Sequence, residues 1–120
     1  MTSIILKRAY DPESEFDGYR IYVDRLWPQG LSHLTFHYDL WDKDISPSTE
    51  LREWFHADPT ERWAEFEKKY SEELVNNPAF KELLSTIKTH SKVTLLFSSR
   101  DLTHNNAVVV KNVLEKALQR

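Results

Sequence analysis

The chain has 120 residues, 40% of them hydrophobic and 29% charged, which fits a single domain with one core. It has no cysteine, excluding disulfides, thiolate ligands and cysteine nucleophiles, and only two glycines, Gly18 and Gly30, too few for a P-loop or a GxGxxG fingerprint. A formal net charge of −3 argues against a broad nucleic-acid-binding face, and no apolar run approaches the roughly 20 residues of a membrane span.

Ile4-Ile5-Leu6 opens a first predicted strand, which runs into Lys7-Arg8-Ala9-Tyr10. Asp11-Pro12 breaks it, and an acidic loop ends at the turn signal Asp17-Gly18. A second strand is expected over Tyr19–Trp27, where Trp27, before Pro28, is biased toward extended backbone. The connection between them is short for a parallel crossover, which leaves a hairpin or one short helical turn open. Leu34–Leu40 alternates large apolar with small or polar residues, the pattern of a half-buried third strand.

Three helices follow. The first comes after Ser46-Pro47-Ser48 and carries Leu51, Trp54 and Phe55. The second starts at Asp58-Pro59 with Glu61 in a capping-box-like place and Trp63, Phe66, Tyr70 and Leu74 as its stripe. The third starts at Asn77-Pro78 and presents Phe80, Leu83, Leu84 and Ile87. Val93–Phe97 is then a near-continuous apolar run, as in a strand covered on both faces. After the polar loop Ser98–Asn105, Ala107, Val110, Val113, Leu114 and Ala117 recur at helical steps, with Lys111, Lys116 and Arg120 weighting the helix end.

Residues 1–120 thus predict a small single-domain α/β fold: a mixed, largely parallel sheet of about four strands, a three-helix excursion, and a C-terminal helix packed on the sheet. Ligands in such sheets bind outside the carboxyl ends of the strands. That edge would hold Arg100, Asp101, His104 and Asn105, with Asp24 and Arg25 arriving from the second strand. Arg8, Asp24, Arg25, Arg100 and His104 are expected to meet in one polar pocket. Asp24-Arg25 taken alone reads first as a structural ion pair, with Arg8 or Arg100 as a third member. Lys43 either adds a cation to the same edge or stays solvated. His33 and His37 have metal-binding spacing on a helix, but they lie in an expected strand with no glutamate between them, so no metal is expected.

The runs KRAYDP, DGYRIYVDRLWPQGL, DLWDKDISPSTELREWF, DPTERWAEFEKKYSEEL and VTLLFSSRDLTHNNAVVV resemble the YeaO-like proteins of the family called domain of unknown function 488. The resemblance covers nearly the whole chain and implies a small cytoplasmic α/β protein of bacteria or archaea. It brings no established reaction with it. Its polar motifs fall on Lys7, Arg8, Asp24, Arg25, Trp27, Lys43, Ser48, Arg100, Asp101, His104 and Asn105. The wider family often has a cysteine-histidine-arginine run in the last loop, where this chain has Thr103-His104-Asn105, so a thiol mechanism is excluded by composition.

Two readings follow. In one, the chain is an enzyme or binding domain for a small anionic or phosphorylated, nucleotide-like ligand. Arg8, Arg25, Lys43, Arg100, Asp101 and Asn105 then hold the ligand, and His104 with Asp24 supply acid–base chemistry. In the other, it is a non-catalytic interaction domain whose polar cluster is a structural network. Neither reading needs a cofactor, a metal or a membrane.

Overall fold

The computed structural model describes residues 2–119; Met1 and Arg120, the latter expected to weight the end of the last helix, lie outside the described residues. Strands β1 (Ser3–Arg8), β2 (Tyr19–Tyr22), β3 (Leu40–Trp41) and β4 (Lys92–Phe97) form one sheet in the order β1-β4-β2-β3. Every pairing is parallel, in keeping with the largely parallel four-stranded sheet expected. β4 lies inside the sheet and is covered on both faces. Val93, Leu95 and Phe97 join the larger core on one side and Leu96 joins a second cluster on the other. The single polar residue between them, Thr94, is fully buried and donates its hydroxyl to the Asp17 carbonyl at 2.7 Å.

The β1-to-β2 connection corrects the hairpin and short-helix alternatives. Residues 9–18 cross past β4 with no helix and re-enter the sheet on its far side, parallel to β1. Gly18 makes the passage possible in two ways: its φ is +68°, and a Cβ there would stand 2.4 Å from the Lys92 carbonyl oxygen. Buried Asp17 anchors the loop, accepting from Lys7 Nζ at 2.9 Å, the Ser14 N–H at 3.0 Å and the Arg20 guanidinium. Burial alone would raise its carboxyl, but those three partners outweigh burial and hold it below the ordinary carboxylate value.

The two predicted strands after the loop are shorter than their patterns suggest. β2 ends at Tyr22; the Val23 N–H still reaches the Leu96 carbonyl at 3.1 Å before the chain leaves the sheet. The expected strand Leu34–Leu40 survives only as β3. Ser32 and Thr35 divert the backbone, with the Thr35 and Phe36 N–H groups both donating to the Ser32 carbonyl at 3.1 Å. Leu34 is consequently 98% exposed, while Phe36 is buried in the second cluster. Local side-chain and turn hydrogen bonds override the alternation there.

Helices α1 (Thr49–Ala57), α2 (Pro59–Val75), α3 (Pro78–Ile87) and α4 (Asn106–Leu118) follow the expected stripes. Ser48, Asp58, Asn77 and Asn105 cap them by accepting from a first-turn N–H. α4 packs on β1 and β4, and α2 packs on α1 and α4. The sheet therefore has helices on one face. Its other face is closed by loops, around Tyr22, Phe36 and Leu96 with Trp27, Tyr38 and Trp41 against them.

Candidate functional site

The carboxyl ends of β1, β4 and β2 open into a cleft of about 910 Å³, within the usual size range of small-molecule sites. β1 contributes Arg8 and the following Tyr10; the loop after β4 contributes Ser98, Ser99 and Arg100; the segment after β2 contributes Asp24 and Arg25. The lead into α4 adds His104, Asn105 and Asn106, and α1 adds Arg52, Phe55 and His56. Parallel strands make this convergence, because every strand of such a sheet delivers its last residue to the same edge.

Asp24 sits over the end of β4. Its Oδ2 accepts the Ser98 N–H at 2.8 Å and the Ser98 hydroxyl at 2.9 Å, and Asn106 Nδ2 approaches Oδ1 at 3.4 Å. Burial pushes its carboxyl above the ordinary carboxylate value, and the Ser98 and Asn106 hydrogen bonds only partly oppose that. Among the described residues no cation lies within 4 Å of it.

The arginines of the cleft are equally free of carboxylates among the described residues. Among the described residues none of Arg8, Arg25, Arg52 and Arg100 forms an ion pair. Arg8 is held by main-chain oxygens instead: Nε donates to the Ser99 carbonyl at 2.9 Å, one terminal nitrogen donates to the Ser98 carbonyl at 3.2 Å, and the guanidinium lies over the Tyr10 ring. Four guanidinium groups thus share one cleft with the single carboxylate of Asp24. The ion pair that Asp24-Arg25 suggested is not formed.

The other expected site residues divide. His104 lines the cleft and stands immediately before the Asn105 cap of α4. Its ring stacks on Trp63 with centroids 4.7 Å apart, and Nδ1 is 3.8 Å from the Asp101 carboxylate. Asn105 is buried and structural on both sides, donating to the Asp101 carbonyl and accepting the Val108 N–H. Asp101 is exposed and outside the cleft lining; its Oδ1 gathers the N–H groups of His104 and Thr103, which holds its carboxyl below the ordinary value. Lys43 is also outside, with its ammonium 4.1 Å above the Trp41 ring. Among the motif residues, Trp27 lines the cleft, Lys7 pairs with Asp17, and Ser48 caps α1. His33 stacks on Trp27, while His37 Nδ1 lies 2.8 Å from a Glu13 carboxylate oxygen.

The sequence reading missed Arg52. The signal was available: Arg52, Phe55 and His56 stand at i, i+3 and i+4 on α1, so all three share one helix face. Nothing in the sequence says that this face turns toward the strand ends rather than solvent.

Together the geometry defines a small α/β protein with a four-stranded parallel sheet and an arginine-lined cleft at its carboxyl edge. Residues 3–120 match the family model described as the Inactive DUF488-N3 subclade, and the chain belongs to the domain of unknown function 488 family, as its motifs implied. It is 42% identical over 112 residues to Uncharacterized protein YeaO of Escherichia coli, which covers 93% of this chain and 96% of that relative. It is 37% identical over 113 residues to Uncharacterized protein Mb3100c of Mycobacterium bovis and to Uncharacterized protein Rv3073c of Mycobacterium tuberculosis, in each case 94% of both chains. No solved structure matches the chain. No helix among the described residues is long and apolar enough to cross a membrane.

Proposed function

We propose that the protein binds a small phosphorylated or otherwise anionic compound of nucleotide size in the cleft at the carboxyl edge of the sheet. One observation carries the reading. Arg8, Arg25, Arg52 and Arg100 line one cleft, and among the described residues none of them is neutralised by a carboxylate. Like charges gathered in this way repel one another, and an anion removes that cost while the guanidinium forks supply charge-assisted hydrogen bonds. A structural network would instead be expected to pair these arginines within the protein.

Binding without turnover is the better supported form of the reading. Asp24, the candidate base, is already engaged by Ser98 and Asn106. His104 is packed flat on Trp63. The description of the matched subclade as inactive agrees with this. The test is calorimetric titration with inorganic phosphate, sulfate and a nucleoside monophosphate. Saturable binding of at least one supports the proposal; no heat from any of them refutes it.

A further inference from the structure

Arg8 and Asp24 both bind Ser98 without binding each other. One terminal nitrogen of Arg8 donates to the Ser98 carbonyl at 3.2 Å, while Asp24 Oδ2 accepts the Ser98 N–H at 2.8 Å and its hydroxyl at 2.9 Å. The guanidinium and the carboxylate are therefore no more than roughly 10 Å apart, the span of one residue and the two hydrogen bonds to it. They are also more than 4 Å apart, since among the described residues no ion pair joins them. Both line the cleft. The gap is too wide for direct contact and suits a small ligand that touches both groups.

Each group keeps bonding capacity that the protein does not use. The second terminal nitrogen of Arg8 has no acceptor among the described residues. Asp24 Oδ1 has only the Asn106 amide, at a long 3.4 Å. Among the described residues that line the cleft, Asp24 is the only carboxylate. It repels an anion held by Arg8 that has no proton donor of its own. An anion with a hydroxyl beside its charge donates that hydroxyl to Oδ1 and replaces the repulsion with a charge-assisted hydrogen bond. Burial already disfavours the ionised form of this carboxyl, and a ligand hydroxyl offsets that cost. We therefore infer that the cleft selects anions bearing a hydroxyl donor, with Arg8 holding the anionic oxygens and Asp24 accepting the hydroxyl. The hydroxyl belongs either to the anion itself, as in hydrogen phosphate, or to the carbon skeleton beside it, as in a sugar phosphate. This rests on the anion-binding reading and narrows it to a class of ligand.

The test is calorimetry at mildly alkaline pH, where inorganic phosphate and sulfate carry the same charge but only phosphate retains a proton. Phosphate is compared with sulfate, and glycerol phosphate with propyl phosphate, which lacks the hydroxyls. In at least one pair the hydroxyl-bearing anion is expected to bind at least about tenfold more tightly, as a hydrogen bond to a charged group implies. A preference for phosphate assigns the donor to the anion; a preference for glycerol phosphate alone assigns it to the carbon skeleton. In Asp24→Asn, which keeps an acceptor but loses the charge, the ratio of affinities should shrink toward one. The wild-type comparison serves by itself if that variant does not fold. Equal affinities within both pairs in the wild type would overturn the inference and leave the anion-binding reading standing, as would a preference that persists undiminished in Asp24→Asn. Binding of none of the four anions would overturn both.

Discussion

Asp24 and Ser98 join the ends of β2 and β4: one carboxylate oxygen accepts both the main-chain N–H and the hydroxyl of Ser98, at 2.8 and 2.9 Å. Asp24→Ala leaves both donors without a protein partner in a half-buried place and should cost about 1–3 kcal/mol in urea denaturation. Asp24→Asn keeps an acceptor and should cost less. The folded carboxyl titrates above its unfolded value, so wild-type Asp24 adds stability at low pH that is lost as pH rises through the folded pKa. The asparagine variant should therefore gain on the wild type with rising pH. A constant difference between the two would contradict this account of Asp24.

Leu95 is fully buried in the central strand. Leu95→Ala should destabilise the fold by about 2–5 kcal/mol. The main-chain amides of Val93–Phe97 should be among the slowest to exchange with deuterium, and fast exchange there would contradict the central placement of β4.

Much of this was legible in the sequence because the relevant signals are local. An apolar run such as Val93–Phe97 reports a strand covered on both faces, and Asn77-Pro78 reports a helix start, wherever else the chain goes. The direction of β2 was not legible. It depends on residues 9–18 passing β4, and that passage rests on non-local contacts, Gly18 against Lys92 and the Asp17 carbonyl accepting from Thr94. The fate of Leu34–Leu40 was hidden for a related reason: alternation reads as a strand until Ser32 and Thr35 take the hydrogen bonds a sheet partner would need. In the cleft, Arg8, Asp24, Arg25, Arg100 and His104 were legible as strand-end residues, because a parallel sheet collects strand ends. Arg52 arrives from a helix whose orientation no local pattern specifies.

The two glycines should respond differently to alanine. Both have positive φ, +68° at Gly18 and +86° at Gly30, which costs an L-residue about 1–2 kcal/mol. At Gly30 nothing lies within 4 Å of the added Cβ, so that strain is the whole effect. At Gly18 the Cβ would also collide with Lys92 backbone, so Gly18→Ala should be clearly the more damaging in thermal melts. Equal losses would contradict the path drawn for residues 9–18.

Asp42 gives the fold a pH signature away from the cleft. Burial, with Asp44 and Glu82 nearby, pushes its carboxyl from 3.8 up to about 6. Between those values the native state holds a proton that the unfolded chain releases, so this group's contribution to stability falls as pH rises through that interval and is lost above about 6. Asp42→Asn should remove that slope and be more stable than the wild type at pH 7, as measured by chemical denaturation across the interval. An unchanged slope would show that Asp42 is not the group responsible.

The claim that the cleft is an anion site is tested most directly by one variant, Arg100→Ala, melted with and without inorganic phosphate. Phosphate at a hundredfold excess over its dissociation constant should stabilise the wild type by about 2.7 kcal/mol. Arg100 is exposed and has no carboxylate partner among the described residues, so the substitution should leave the unliganded melting curve nearly unchanged while abolishing the phosphate-induced shift. A large loss of stability without ligand, together with a phosphate shift that persists, would mean that Arg100 is scaffold and that the anion site lies elsewhere or does not exist.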